Sequence, residues 1–431
     1  MKLVFLLLLS LLLACGSKNK VNIKISPKEI IQGDNVDILI SGLKPFSEYK
    51  IVLQSIFDKK SNCYSEAFYV SNNKGEIDID NFESVGGDFY GKDSLGLFYN
   101  IYARDEAPEY LLIKNRKEIL PKKQQNFIQI VKDDNLIAKQ SFELSILSKK
   151  VNHIKIREKG IKADLFLANK TKNLLMVFGG SEGDNEVSSF LAQVLASKGY
   201  NTCAISYFFA EGQQKKMTNI PLETIDKTLI SVKREMGGIE ELYIHGSSKG
   251  AELALLYASL NSTVNGVIAV SPSSVVLQSF NKSPHSTWTY KGKEVEYMQF
   301  NYDGKLKLDK YNRKIYAHYY FPFLEKVKDD AKIKVENIEG DIILFSGKDD
   351  LLWPSSYMAD MISDRISENK NSFIFKNYQY ENVGHYFYVP YLPTYWEKHY
   401  ATGGIEKDNA YAQLDAWNKL LQYLESKSIR N

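Results

Sequence analysis

Ser248 is the residue of this 431-residue chain whose surroundings could turn a hydroxyl into a nucleophile. It lies in Leu242-Tyr243-Ile244-His245-Gly246-Ser247-Ser248-Lys249-Gly250-Ala251-Glu252-Leu253, which reads as a short apolar strand, a Gly-x-Ser-x-Gly turn and a helix. That context makes the pentapeptide a nucleophile elbow, a sharp strand-to-helix turn that lifts the serine toward a substrate. Gly246 and Gly250 are expected to give the backbone the freedom to bend. Ala251, Ala254, Leu255 and Ala258 fall on one helical face, as packing against a sheet requires. With 26 glycines in the chain the pentapeptide alone is a weak signal, so its partners must decide its meaning.

A serine hydroxyl is too weak an acid to attack a carbonyl unaided. An imidazole must take its proton, and an acid must orient that imidazole. In α/β-hydrolase chain order both follow the serine, in loops after later strands. The apolar run Ile342-Ile343-Leu344-Phe345 leads into Ser346-Gly347-Lys348-Asp349-Asp350, and we take Asp350 over Asp349 as the acid. Phe373-Ile374-Phe375 reads as the last strand, and Tyr380-Glu381-Asn382-Val383-Gly384-His385 places His385 behind it as the base. Glu381 is too near His385 in sequence to sit opposite its ring. The tetrahedral oxyanion needs preset N–H donors. The backbone of Lys249 supplies one, and Gly179-Gly180-Ser181-Glu182-Gly183 supplies the other through Ser181 or Glu182. His245 is expected to pack beside the elbow, and His153, His285, His318 and His399 lie behind no strand of the sheet.

The elements that must position these groups read as two bodies. Residues 21–148 hold short alternating segments, Val36 to Ile40, Tyr49 to Leu53, Glu66 to Val70 and Gly96 to Tyr102, separated by turn residues. This spacing predicts an immunoglobulin-like β-sandwich. Residues 151–428 alternate apolar strands with helical periods, predicting an α/β-hydrolase domain with a mostly parallel sheet flanked by helices. Its strands include Leu174 to Phe178 and Gly266 to Val270, and its last helix carries Ala410, Leu414, Trp417, Leu421 and Leu424 as a packing stripe. Residues 274–334 form an aromatic, charged insertion expected to cover or shape a substrate site.

Composition bounds the rest. The chain is 44% hydrophobic and 25% charged, values of an ordinary globular protein. Its 55 basic and 52 acidic residues give a net charge of +3, which offers nucleic acid no strong single-sign field. Met1-Lys2 and the apolar run to Ala14 form an export signal too short to span a membrane. The segment ends in Leu12-Leu13-Ala14-Cys15-Gly16, which resembles the lipobox of bacterial lipoproteins. Residues 1–15 are therefore expected to be a signal peptide region, with Cys15 lipidated and the protein anchored in the cell envelope. Cys63 and Cys203 support no disulfide framework. No metal-ligand spacing appears among the histidines and cysteines, and neither a metal nor a cofactor is expected.

Beyond these motifs the chain resembles the family of acyl-CoA thioesterases and bile acid-CoA:amino acid N-acyltransferase (BAAT), with their bacterial relatives, across nearly the whole chain after residue 15. The resemblance rests on Gly86-Gly87-Asp88-Phe89-Tyr90-Gly91 with Gly96-Leu97, on the Ser248-Lys249-Gly250-Ala251-Glu252-Leu253 elbow and on Tyr290-Lys291-Gly292. It continues through Gly347-Lys348-Asp349-Asp350 with Trp353, Gly384-His385-Tyr386 with Pro390-Tyr391, and Gly403-Gly404 leading to Ala412-Gln413-Leu414-Asp415-Ala416-Trp417. It departs at Ser247, where an apolar residue is common, and at Tyr99, where tryptophan is. The resemblance implies Ser248 as nucleophile, Asp350 as acid and His385 as base. It also implies hydrolysis, since the conjugating transferases carry a cysteine nucleophile. The expected reaction is cleavage of acyl thioesters or esters. An exported protein would not ordinarily meet coenzyme A, so two donors stay open, the acyl-CoA that the resemblance implies and a thioester or ester without coenzyme A; transfer to another acceptor and a noncatalytic binding role on the same scaffold are the alternative readings.

Overall fold

The computed structural model describes residues 20–56, 62–101, 123–280, 283–300, 306–369, 373–394 and 400–427. Residues 1–15, with the expected signal peptide and Cys15, lie outside them.

Alternation of apolar and polar residues builds the N-terminal region. In Glu48–Ile56 the odd-numbered side chains Tyr49, Ile51, Leu53 and Ser55 are buried and their neighbours are less so, as a strand with one covered face requires. A six-stranded and a three-stranded sheet, mainly antiparallel, face one another. Ile38 and Ile40 of one pack with Ile51, Leu53, Ile128 and Ile130 of the other in a single core. The longest hairpin of this region, Lys123–Lys132 with Asn135–Ser145, was not foreseen from the sequence. Its turn residues Asp133 and Asp134 take φ values of 48° and 60°, a conformation aspartate tolerates. The segment expected as a strand from Gly96 to Tyr102 is instead a short helix at Gly96–Tyr99. All four residues are buried rather than alternate ones, and a Cβ on Gly96 would lie 2.6 Å from the Phe89 ring, so the chain is pressed in from every side.

The second region is an eight-stranded sheet. Its strands are β1 (Asn152–Glu158), β2 (Ile161–Leu167), β3 (Leu174–Phe178), β4 (Thr202–Ser206), β5 (Leu242–Ser247), β6 (Val264–Val270), β7 (Asp341–Gly347) and β8 (Phe375–Tyr380). They lie in the order β1-β2-β4-β3-β5-β6-β7-β8, with β2 antiparallel to both neighbours and the rest parallel. This is the α/β-hydrolase arrangement. The β1–β2 hairpin precedes the first strand recognised from the sequence, because its polar edge strand carries little apolar periodicity. The last strand lies further along than Phe373-Ile374-Phe375: β8 begins at Phe375, and Phe373 and Ile374 are exposed. Helices α1 (Glu186–Ser197), α2 (Glu223–Met236), α3 (Lys249–Leu260), α4 (Ser355–Glu368) and α5 (Glu406–Ser426) flank the sheet. α3 is apolar almost all round and buried along its length, as a central helix should be.

The two regions meet near the chain's C-terminal part. Trp417 Nε1 donates to Gly33 O (3.1 Å), Gln32 Nε2 donates to Pro390 O (2.6 Å), and Lys407 and Tyr411 of α5 both reach the buried Asp93 carboxylate. Phe98 of the short helix meets the Tyr391 ring edge-on at 4.8 Å. Among the described residues no helix is long and apolar enough to cross a membrane.

Candidate active site

β5 runs into α3 through a single residue that bears the strain. Ser248 has φ 56° and ψ −120°, a conformation that costs free energy in a residue with a side chain and that turns the chain sharply enough for the hydroxyl to stand clear. The glycines contribute differently from the expectation above. Neither Gly246 nor Gly250 has a positive φ. They are required by close approach: a Cβ on Gly246 would lie 2.1 Å from Gly250 O, and one on Gly250 would lie 2.0 Å from Gly179 O. Strand, helix and the loop after β3 can converge on Ser248 only because these side chains are absent.

The loop after β7 carries Asp350, and the segment after β8 carries His385. His385 Nδ1 and Asp350 Oδ2 are 2.7 Å apart, and both residues are buried. Asp350 Oδ1 accepts from the backbone N–H groups of Leu352 (2.9 Å) and Trp353 (3.2 Å), which fixes the carboxylate and leaves its second oxygen for the imidazole. With Nδ1 donating to Asp350, the proton-accepting position of a neutral ring is Nε2. Trp353 closes over this pair, with its ring 5.5 Å from that of His385 and its Nε1–H on Ser271 O (3.2 Å). Ser271 Oγ donates in turn to His385 O (2.5 Å). Because the Ser248 N–H bonds Val270 O (2.8 Å), the serine and the histidine are referred to adjacent residues at the end of β6. Among the described residues no hydrogen bond joins the Ser248 hydroxyl to His385, which is common in sites without substrate.

Asp349 is occupied elsewhere, its Oδ2 accepting from Gly404 N–H (2.7 Å). Glu381 pairs with Lys348 on the surface (2.5 Å). Buried His245 makes no side-chain hydrogen bond through Nδ1, and burial pushes its pKa down to about 4. His153 bonds Asp164 (2.8 Å), and His285 bonds Glu294 (2.7 Å). His318 meets the Tyr319 ring at a tilt of 42°, and His399 lies outside the described residues. Cys63 and Cys203 are buried free thiols.

Facing the elbow is the loop after β3. A Cβ on Gly180 would lie 3.5 Å from Ser248 Cβ, so this loop abuts Ser248. Gly180 N–H donates to Glu182 Oε1 (2.9 Å), and Tyr207 OH donates to the carbonyls of Gly179 (3.2 Å) and Gly180. Glu182 thus enters through its carboxylate, a role not read from the sequence, while Ser181 is exposed at the turn. Burial raises the Tyr207 phenol well above its usual range, with the Glu182 and Glu252 carboxylates adding to it, so the hydroxyl remains a donor. On the other side, the Ser248 carbonyl accepts from Ala251 (2.9 Å) and Glu252 (3.2 Å), so the Lys249 N–H belongs to the helix end where amides have no intrahelical acceptor. Such amides can stabilise a developing negative charge.

The comparisons with known proteins agree with this architecture. The family model described as "BAAT / Acyl-CoA thioester hydrolase C terminal" matches residues 231–429, and "Acyl-CoA thioester hydrolase/BAAT N-terminal region" matches residues 33–158. Acyl-coenzyme A thioesterase 5 of Mus musculus is 26% identical over 406 residues, covering 89% of this chain and 91% of that protein. Bile acid-CoA:amino acid N-acyltransferase of Mus musculus is 23% identical over 430 residues, covering 93% and 96%. Among solved structures, a putative dienelactone hydrolase from Klebsiella pneumoniae covers 64% of this chain and 98% of its own at 14% identity and a TM-score of 0.41. At that score the fold assignment rests on the strand order instead. Through both family regions, the chain belongs to the acyl-CoA thioester hydrolase/BAAT family.

Proposed function

We propose that this chain is a serine hydrolase of acyl thioesters that works through an acyl-enzyme on Ser248. The observation that carries the reading is the 2.7 Å contact between His385 Nδ1 and Asp350 Oδ2, buried beside the strained elbow. Ser248 Oγ attacks the thioester carbonyl as its proton passes to His385 Nε2. The C–S bond then breaks, and the thiolate leaves with that proton. Water, deprotonated by the same imidazole, attacks the ester on Ser248; the bond to Oγ breaks as His385 returns the proton to it, and the carboxylic acid is released. Asp350 keeps the ring oriented and stabilises its charged form. Lys249 N–H and an N–H of the Ser181–Glu182 turn, Ser181 being nearer the open side, receive the oxyanion.

Relatives named as acyl-coenzyme A thioesterases support this chemistry, and a relative named as an amino acid N-acyltransferase supports transfer to an amine as the second reading. Serine at position 248, where the conjugating enzymes carry cysteine, favours water as acceptor. The Leu12-Leu13-Ala14-Cys15 segment supports a location in the cell envelope on a lipid anchor at Cys15, where the donor would be an acyl thioester or ester without coenzyme A. Purified protein without residues 1–15, assayed on acyl-CoA and aryl esters beside Ser248→Ala, tests the proposal. Activity lost in the variant supports it, and full activity in the variant on both substrates refutes it. Conjugates formed on addition of amines or alcohols would establish the transferase reading instead. Failure of a fluorophosphonate to label Ser248 would point to a binding protein on a hydrolase scaffold.

A further inference from the structure

One residue after the nucleophile, the structure buries an ion pair that the proposed mechanism does not use. Lys249 Nζ and Glu252 Oε2 are 2.6 Å apart, and both side chains are 0% exposed. Burying two charges is costly unless every lone pair and proton is satisfied. Here the second carboxylate oxygen, Glu252 Oε1, accepts from Trp288 Nε1 (2.7 Å) and from the Leu277 N–H (3.1 Å). Burial pushes the Glu252 carboxyl up and the Lys249 ammonium down, and each charge opposes the shift of the other. The ammonium also lies over the Trp288 and Phe280 rings, at 5.5 and 5.6 Å.

Leu277 and Trp288 both belong to the insertion. Trp288, itself fully buried, continues the network in the other direction: its ring lies 5.6 Å from that of Tyr207, whose hydroxyl holds the carbonyls of Gly179 and Gly180. One chain of buried contacts therefore runs from the residue that offers the first oxyanion amide to the loop that offers the second, and its middle is in the insertion.

Resting on the reading of Ser248 as an acyl-accepting nucleophile, we propose that Glu252 and Trp288 are positioning residues that hold the two halves of the oxyanion hole at one spacing, so that the insertion governs transition-state stabilisation as well as covering the site. Neither residue touches the reacting atoms. Their effect belongs in the rate of attack by Ser248 and not in substrate affinity.

The full chain, purified in mild detergent, is labelled with a fluorophosphonate, and the rate of adduct formation at Ser248 is followed by mass spectrometry, with thermal unfolding measured in parallel. Trp288→Phe keeps a ring against Tyr207 but removes the donor to Glu252. Lys249→Met with Glu252→Ala removes the pair without leaving a lone buried charge. Each should slow labelling roughly 10-fold, less than the 10²–10³ of deleting an oxyanion donor outright. Lys249→Met with Glu252→Gln retains an acceptor for Trp288 and Leu277 and should label several-fold faster than Lys249→Met with Glu252→Ala. Tyr423→Phe removes a buried hydrogen bond to Asp341 (3.0 Å) at the opposite end of the sheet, and should lower the unfolding temperature while leaving the labelling rate unchanged. If Trp288→Phe lowers stability as Tyr423→Phe does but labels at the native rate, the network is structural only and the proposal falls. If native Ser248 is not labelled, the reading of Ser248 falls first and takes this proposal with it.

Discussion

The proposed acid–base side and the proposed oxyanion side of the site are held by different parts of the chain. Asp350 is fixed by two backbone amides, and His385 O by Ser271 Oγ. The segment just after His385 rests on the N-terminal sandwich, with Gln32 on Pro390 O and the Val36 N–H on Tyr391 OH (3.3 Å). The oxyanion side is held by side chains, Glu182, Tyr207, Trp288 and Glu252, and leans on the insertion. The Asp350 carboxylate, held by backbone amides, depends chiefly on chain path and tolerates changes in side chains. Side-chain-held groups depend on a few particular residues, so the two sides should fail in different ways.

The largest effects should come from the reacting groups. Ser248→Ala and His385→Ala should each lower kcat by roughly 10⁵- to 10⁶-fold, and Asp350→Asn by about 10⁴-fold. Steady-state kinetics on a thioester will measure this, and Asp350→Asn should unfold near the native temperature because asparagine still accepts from Leu352 and Trp353. Next, Gly250→Ala would press a methyl group into Gly179 O, 2.0 Å away, and push the oxyanion loop off the elbow. We expect destabilisation of about 1–3 kcal/mol together with loss of most labelling at Ser248, while the Asp350–His385 side stays intact.

His245 sits in β5 beneath both sides and supplies a pH test. Its pKa, lowered by burial from 6.5 to about 4, means that the unfolded chain binds a proton more readily than the folded one. The stability this group confers is fully present above pH 6.5 and is lost as pH falls toward 4, to a total of about 3 kcal/mol. Denaturant unfolding from pH 7 to pH 4 should show this slope, and His245→Gln should lack that component. The smallest effect should be that of Gln32→Ala, which leaves Pro390 O without its donor and should cost about 1–2 kcal/mol, with a few-fold fall in kcat. A fall as large as that of Trp288→Phe would mean that the sandwich, too, sets the geometry of the reaction.

The same contrast explains what could be read from residues alone. The Ser248, Asp350 and His385 positions follow from strand ends and chain order, local patterns that survive without knowledge of packing. The α/β-hydrolase sheet was legible for the same reason, its central strands being short uninterrupted apolar runs. The polar edge strand β1 and the helical turn at Gly96–Tyr99 were not, since one lacks periodicity and the other owes its shape to contacts such as Phe89 on Gly96. In the sequence Glu252 stands out only as part of the elbow motif. Its pairing with Trp288, 36 positions away, depends on how the insertion folds back, and the one local hint was a Lys-x-x-Glu pair on an otherwise apolar helix. Glu182 was expected to act through its backbone, because a sequence cannot show a carboxylate folding onto Gly180 N–H.

The most direct test of the central claim is to quench the reaction of the chain with a long-chain acyl thioester and locate the acyl group by peptide mass spectrometry. An acyl adduct should form on the peptide bearing Ser248 at the rate of thiol release and be absent in Ser248→Ala. Thiol release that proceeds undiminished in Ser248→Ala, with no adduct on that peptide, would contradict the claim.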